Sequence, residues 1–222
     1  MLYDIITFDC YGTLVDWEEG ISRSMIAAAS RDGVAVDPAQ VIDAHAKIEP
    51  EVQAGKYRSY REVLIETAVR MAPLLRWELD RERAGLIPDE LSDWPPFADT
   101  NEALERLRDS GCRLGILSNI DDELLAGTLR RLTVDFDLVV TAQQVRSYKP
   151  AHAHFAAARE SIGDDRWLHA AQSYFHDVVP ARELGIPVAW VNRKRERPAG
   201  EARPDLEVTT LTGLADELTG TV

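Results

Sequence analysis

The feature that most constrains this chain is a series of short apolar runs, each stopping at small polar residues. Leu2 to Phe8 closes on Asp9-Cys10-Tyr11-Gly12-Thr13, Arg113 to Leu117 on Ser118-Asn119, Phe136 to Val140 on Thr141, and Ile186 to Val191 on Asn192. A weaker fifth run, Trp167 to Ala171, ends at Gln172-Ser173. Runs of this length bounded by turn residues predict buried strands. Helical patterns lie between them: Thr100 to Ser110, Asp121 to Leu132, Ala151 to Ile162 and Val178 to Leu184, with a closing helix over Thr212 to Leu218. Strands alternating with helices predict βαβ units, hence an α/β fold with a Rossmann-like parallel sheet.

One stretch breaks the alternation. Between about Asp16 and Asp93 no strand pattern occurs, and Ile21 to Ser30, Pro38 to Glu49, Tyr60 to Met71 and Leu75 to Arg83 predict four helices. The expected organisation is a core domain of residues 1–15 and 94–222, with a helical cap of residues 16–93 inserted after the first strand. The length of 222 residues suits one large domain carrying such an insertion.

Composition narrows the partners. Lys and Arg number 25 against 38 Asp and Glu, a formal charge of −13, which argues against a nucleic-acid partner. The one basic run, Arg193-Lys194-Arg195 with Arg197, is interrupted by Glu196 and is expected to be a solvated loop. No apolar stretch is long enough to span a membrane. The N-terminus carries Asp4 and Asp9 without a basic segment, unlike a signal peptide. Two cysteines are too few for a disulfide framework, so a reduced, cytoplasmic setting is expected. No zinc-type His/Cys spacing is present; His152 and His154, two apart, do not share a helix face. Cys10, alternating with Asp9 on an extended backbone, is expected to be a buried thiol. The five tryptophans are expected to pack in the core or cap, with Trp17 also a candidate for the cap entrance.

In an open parallel sheet, ligands bind beyond the carboxyl ends of the strands. That rule brings four separate segments to one crevice: Asp9 to Thr13, Ser118-Asn119, the loop carrying Lys149, and Gln172 to Asp177. A carboxylate ending an apolar strand is costly to desolvate without partners. Lys149 is placed near a helix start by Pro150, where a cation is disfavoured unless it faces solvent or meets an acid. Paired with Asp9, it would keep that carboxylate ionised. Asp177 could take a proton from water. The bland alternatives are a turn aspartate for Asp9, a surface lysine for Lys149, and helix caps for Asp177 and for Ser118-Asn119.

These motifs together resemble the haloacid dehalogenase superfamily over nearly the whole chain. FDCYGTLVD, LSNID, SYKP and SYFHD are similar to its four ordered motifs. The resemblance implies Asp9 as nucleophile, with Ser118, Lys149 and Asp177 completing the set, and a cap that shields the crevice from water. Phosphatase members carry a second aspartate two residues after the nucleophile. Here that position is Tyr11, and the usual first acid of the fourth motif is Ser173, so magnesium, with Asp9 and Asp177 as its obvious ligands, is disfavoured.

Asp-x-Tyr-Gly-Thr is instead similar to the L-2-haloacid dehalogenases. That branch implies hydrolysis of short 2-haloalkanoic acids to 2-hydroxy acids through an ester on Asp9, with no metal or cofactor. Lys149 would hold the two acids and Thr13 would bond the nucleophile. The substrate carboxylate, a small-molecule partner, would meet Ser118 and N–H groups near Tyr11. Asn119, Ser173 and His176 are further candidates at the substrate, and a homodimer through the cap is the family analogy. The departures concern the leaving group. Val41 stands where the branch places a halide-binding arginine, with His45 or Lys47 nearby as substitutes. Tyr174 stands where it places an asparagine, Phe155 a tyrosine, and His176 a tryptophan. Tyr57, Tyr60 and His176 could make a different pocket. The alternatives are a magnesium-dependent phosphatase, a carbon–nitrogen hydrolase of the azetidine-carboxylate type, and a non-catalytic binding protein.

Overall fold

The structure, a computed structural model, describes residues Leu2 to Gly220. The chain divides into two compact units, residues 1–15, 96–119 and 131–222 in one and residues 16–95 and 120–130 in the other.

The first unit is built on a six-stranded sheet: β1 (Ile5–Phe8), β2 (Arg113–Ser118), β3 (Leu138–Thr141), β4 (Trp167–Ala171), β5 (Val188–Val191) and β6 (Leu206–Val208). Their order is β3-β2-β1-β4-β5-β6 and every pairing is parallel. The parallel α/β core expected from the apolar runs is thus present. All residues of β1, β4 and β5 are buried, as a parallel sheet covered on both faces requires. Full burial of a side chain such as Phe8 or Ile6 contributes about 1.5–3 kcal/mol before entropic costs. Phe8 pairs with Ile116 on one side and Ala170 on the other. That register sets Asp9, Ser118 and Gln172 at one edge.

The strand after Asp9 is replaced by a tight loop. Leu14 and Val15 N–H donate to Cys10 O, and Gly12 N–H to Val15 O. Gly12 has φ +96°, a left-handed conformation that a β-carbon would strain. The N–H groups of Gly12, Leu14 and Val15 are therefore spent inside the loop. Cys10 is buried, as expected.

β6 was not anticipated: it is three residues long and only partly buried, so it carries no apolar run. Residues 194–197 of the basic run are exposed and outside helix and strand, as expected of a solvated loop, but Arg193 is drawn inward. Arg193 lies over the Phe97 ring at 3.9 Å, pairs with Asp99 at 3.0 Å, and donates to Thr13 O at 2.8 Å.

The second unit is helical. Trp17–Arg31 is capped by Asp16, and Pro38–Gln53 by Asp37 with proline in its first turn. Tyr60–Met71 opens with a reciprocal Ser59/Glu62 capping box. The helix expected over Leu75 to Arg83 is absent. A 3₁₀ turn (Ala72–Leu75) ends at Arg76 in the left-handed region, φ 55°, and the next helix is Leu86–Glu90. The chain between is held by Asp32, which accepts from Trp77 Nε1 (2.8 Å) and Arg83 (2.7 Å).

Trp94 and Pro95, expected in the sheet domain, cluster with the helices, as does 120–130. Gly20 lets the Trp94 ring approach: a β-carbon there would lie 2.2 Å from Trp94 Cγ. The helix Asp122–Leu129 lies against Ser92 through Gly127, where a β-carbon would be 2.9 Å from Ser92 Cβ. Asp121 does not cap its own helix; its carboxylate accepts from Tyr60 and Arg61 N–H at 2.9 and 2.8 Å, capping Tyr60–Met71. Among the described residues no helix is long and apolar enough to cross a membrane.

Candidate active site

Asp9, Lys149 and Asp177 meet at the carboxyl edge of β1, β2 and β4. Lys149 Nζ donates to Asp9 Oδ1 (3.0 Å), Asp177 Oδ1 (2.6 Å) and Leu117 O (2.8 Å). All three ammonium hydrogens are used, and Lys149 is 1% exposed. An unpaired buried charge costs several kcal/mol, so this geometry tolerates the ions only together. Thr13 Oγ1 donates to Asp9 Oδ2 (3.0 Å) and accepts Gln172 N–H (2.9 Å), tying the β1 loop to the end of β4.

The lysine is not held by a helix start. The following helix begins at Ala153, four residues beyond, so the expected placement of Pro150 in its first turn does not occur. Asn119 holds the segment instead. Its Oδ1 accepts Lys149 N–H (2.7 Å) and its Nδ2 donates to Lys149 O (3.1 Å). Both ends of the amide expected to meet an anion are thus committed to the lysine peptide.

Two acids share one ammonium, and their acidities diverge. Burial pushes the Asp9 carboxyl above the usual range, with the Asp177 charge adding to it, while Lys149 and Thr13 pull against them. Burial acts the same way on Asp177, but Lys149 and His169 outweigh it and hold Asp177 well below the ordinary carboxylate range. Burial works against the Lys149 charge, yet the two carboxylates raise its pKa overall. The arrangement offers an oxygen nucleophile and a second acid, bridged by one cation.

Asp177 lies in a π-type turn, Tyr174–Val178, entered through Ser173. Such turns recur at functional sites. Ser173 Oγ accepts His176 N–H (3.1 Å) and also meets His176 Nδ1 (3.1 Å), so these two candidates pair with each other. Burial lowers the His176 pKa. Ser118 is 1% exposed and its Oγ has no hydrogen-bond partner among the described residues, which suits a hydroxyl that receives a ligand. Tyr11 bridges to Val15 within the β1 loop. Tyr174 is committed to the core, its hydroxyl donating to Ala202 O (2.8 Å).

Sequence reasoning passed over two buried histidines. His154 Nε2 contacts Ser118 O at 3.1 Å, and burial lowers its pKa to about 3. His169 Nε2 contacts Asp177 Oδ1 at 3.0 Å. For His169 the available signal was a polar residue in the middle of an otherwise buried strand, whereas His154 lies on the helix Ala153–Ile162. Among the described residues no group of three or more His, Cys, Asp or Glu side chains is placed to hold a metal ion.

In the helical unit, Val41 is fully buried. His45 packs on Trp17 with centroids 4.8 Å apart, and burial lowers its pKa to about 4, so it is neutral near pH 7. Lys47 is exposed. Glu49 accepts from Gln53 Nε2 (3.1 Å), and burial raises its carboxyl to about 7 against the opposing Tyr60 hydrogen bond.

A parallel α/β sheet with charged groups gathered at its carboxyl edge places its ligand site beyond the strand ends. The chain belongs to the haloacid dehalogenase-like hydrolases, whose family model matches residues 3–206. It is 26% identical to haloacetate dehalogenase H-2 of Moraxella sp. (strain B), the match covering 86% of each chain. It is 25% identical to an (S)-2-haloacid dehalogenase of Pseudomonas sp. (strain YL), covering 95% of this chain and 92% of that one. The fold resembles L-2-haloacid dehalogenase from Xanthobacter autotrophicus, solved with chloropropionic acid covalently bound: TM-score 0.82, 22% identity, and coverage of 99% and 100% of the two chains.

Proposed function

We propose that this hydrolase converts short 2-haloalkanoic acids to 2-hydroxy acids through an ester on Asp9. The observation that carries the reading is the buried Lys149 ammonium, 3.0 Å from one aspartate and 2.6 Å from the other. A carboxylate oxygen of Asp9 attacks C2 in line with the carbon–halogen bond. The halide departs with the bonding pair, and an Asp9 ester remains. Water then attacks the carbonyl carbon of that ester while Asp177 takes its proton. Collapse of the tetrahedral adduct breaks the acyl–oxygen bond, and the proton passes to the departing alkoxide. Asp9 is restored carrying one oxygen from water.

Thr13 orients the nucleophile, and Asn119 holds the Lys149 peptide. The Ser118 hydroxyl and N–H groups near Tyr11 receive the substrate carboxylate, with Ser173 and His176 beside them. The leaving group is already a stable anion, so this chemistry calls for no metal. The resemblance gives residues 16–93 the role of cap. The dehalogenase relatives at about a quarter identity support the same reading.

The deciding experiment incubates the protein with L- and D-2-chloropropionate and with an aryl phosphate, each with magnesium or with EDTA. Halide release indifferent to EDTA is expected. Magnesium-dependent phosphate release without halide release would overturn the reading. Single-turnover hydrolysis in heavy-oxygen water is expected to label Asp9.

One observation favours a second reading. The helical position where the resemblance called for a cation holds buried Val41, and neighbouring His45 is neutral near pH 7. A protonated amine leaving from a strained carbon–nitrogen bond needs no cation beside it. Ring opening of azetidine-2-carboxylate without halide release from any haloacid would favour that substrate, with the same Asp9 ester.

A further inference from the structure

We propose that His169 is a positioning residue for the hydrolytic half of the reaction, fixing which oxygen of Asp177 takes the proton from water. The inference rests on the ester chemistry proposed above.

The parallel register sets Thr7 beside His169 across β1 and β4, and Trp167, two residues earlier on β4, shares the face of His169. Three side chains there form a chain of hydrogen bonds. Trp167 Nε1–H donates to Thr7 Oγ1 at 2.7 Å, and Thr7 Oγ1 lies 2.8 Å from His169 Nδ1. An indole nitrogen only donates, so the Thr7 oxygen accepts from it and has its own proton to give to Nδ1. A neutral imidazole accepting at Nδ1 carries its proton on Nε2, and that N–H points at Asp177 Oδ1, 3.0 Å away. Phe155 meets the imidazole edge-on, centroids 5.1 Å apart at 83°, and both His169 and Thr7 are fully buried.

Asp177 Oδ1 therefore accepts from two donors, Lys149 Nζ and His169 Nε2, whereas Oδ2 is buried with no partner among the described residues. Two donors on one oxygen resist rotation of the carboxylate about its Cβ–Cγ bond. Oδ2 is left as the basic oxygen, with its direction set. The imidazole itself moves no proton; it acts through Asp177.

Two measurements test this. Histidine ¹⁵N spectra of the resting enzyme, with the His169 signals assigned by their loss in H169Q, read the tautomer without substrate. A proton on Nε2 is expected; an Nε2 without one would overturn the assignment. Single turnovers of L-2-chloropropionate then separate the two chemical steps. In H169F the halide burst should stay within about threefold of wild type, while decay of the Asp9 ester slows about thirtyfold and the adduct appears in the intact mass. H169Q, whose amide can restore an N–H donor, should recover about tenfold of that loss. T7V keeps the imidazole but removes its Nδ1 partner, and should slow ester decay alone by about threefold; it carries the test if H169F does not fold. Equal slowing of burst and decay, or unchanged decay in the variants, overturns the proposal. A wild-type enzyme that neither releases halide nor forms the adduct instead overturns the haloacid reading, and the tautomer result still stands or falls alone.

Discussion

The end of β1 and the helix Pro38–Gln53 handle buried titratable groups in opposite ways. At the end of β1, two carboxylates and an ammonium are buried as ions, each answered by another. Along Pro38–Gln53, burial drives groups toward neutrality: His45 falls to about 4 and Glu49 rises to about 7. The difference follows from one rule. A low-dielectric site keeps an ion only when a partner of opposite sign is within reach, and otherwise the group changes its protonation. Groups balanced in that way cannot be exchanged singly without upsetting the rest. Neutral groups can be, which fits the sequence pattern: the departures from the dehalogenase motif fall on Val41, Tyr174, Phe155 and His176, and the charged triad matches it.

The comparison breaks most readily at Asp9. Asp9→Asn should lower turnover by at least about 10³-fold while the protein stays folded, because the nucleophile is lost and an amide still fits the site. Activity near wild type would end the covalent mechanism. Next is Lys149→Met, which leaves two carboxylates facing each other without their cation. It should cost about 3–5 kcal/mol in urea unfolding at neutral pH. Its residual activity should also have an acid limb at higher pH than wild type. Asp9 must be ionised to attack, its pKa already lies above the usual value, and removing the ammonium raises it further.

Smaller effects probe the helical unit. The folded Glu49 carboxyl titrates near 7 against an ordinary 4.5, so the folded state binds the proton more tightly. Its stabilising contribution is complete below the ordinary value and is lost as pH rises toward 7. Glu49→Gln should flatten that part of the stability profile by about 1–2 kcal/mol, reduced from the full shift because the side chain keeps some contact with water. Unfolding curves of both proteins across that window check it. Smallest is His45→Phe, which should change stability by less than about 1.5 kcal/mol, with the wild-type ring giving no NMR titration between about pH 5.5 and 8. A titration in that window would remove the contrast between that helix and the end of β1.

The legible part of the molecule was the part carried by local pattern. Apolar runs ending in polar turns located β1 to β5, and the rule for parallel sheets gathered Asp9, Ser118, Lys149 and Asp177 before any contact was known. What escaped depended on tertiary contact. β6 has no buried run to announce it. The pattern from Leu75 to Arg83 looked helical, but a left-handed Arg76 and the bonds of Asp32 to Trp77 and Arg83 decide its path. Arg193 looked like one charge in a solvated run, yet it reaches Asp99, 94 positions away. Asn119 looked like a ligand donor, and no local pattern reveals that Lys149 takes both ends of its amide. His169 was not singled out, because its meaning lies in Thr7 and Asp177 rather than in its neighbours along the chain.

The third bond of the Lys149 ammonium, to the carbonyl of Leu117, bears on the timing of the proposed cycle. Once Asp9 becomes an ester, its negative charge has gone out with the halide, and the lysine has lost half of its ionic company. A peptide oxygen can be neither alkylated nor titrated away. Strand β2 thus supplies a mooring that is indifferent to the stage of the reaction, and the lysine stays beside Asp177 when that acid begins its own task.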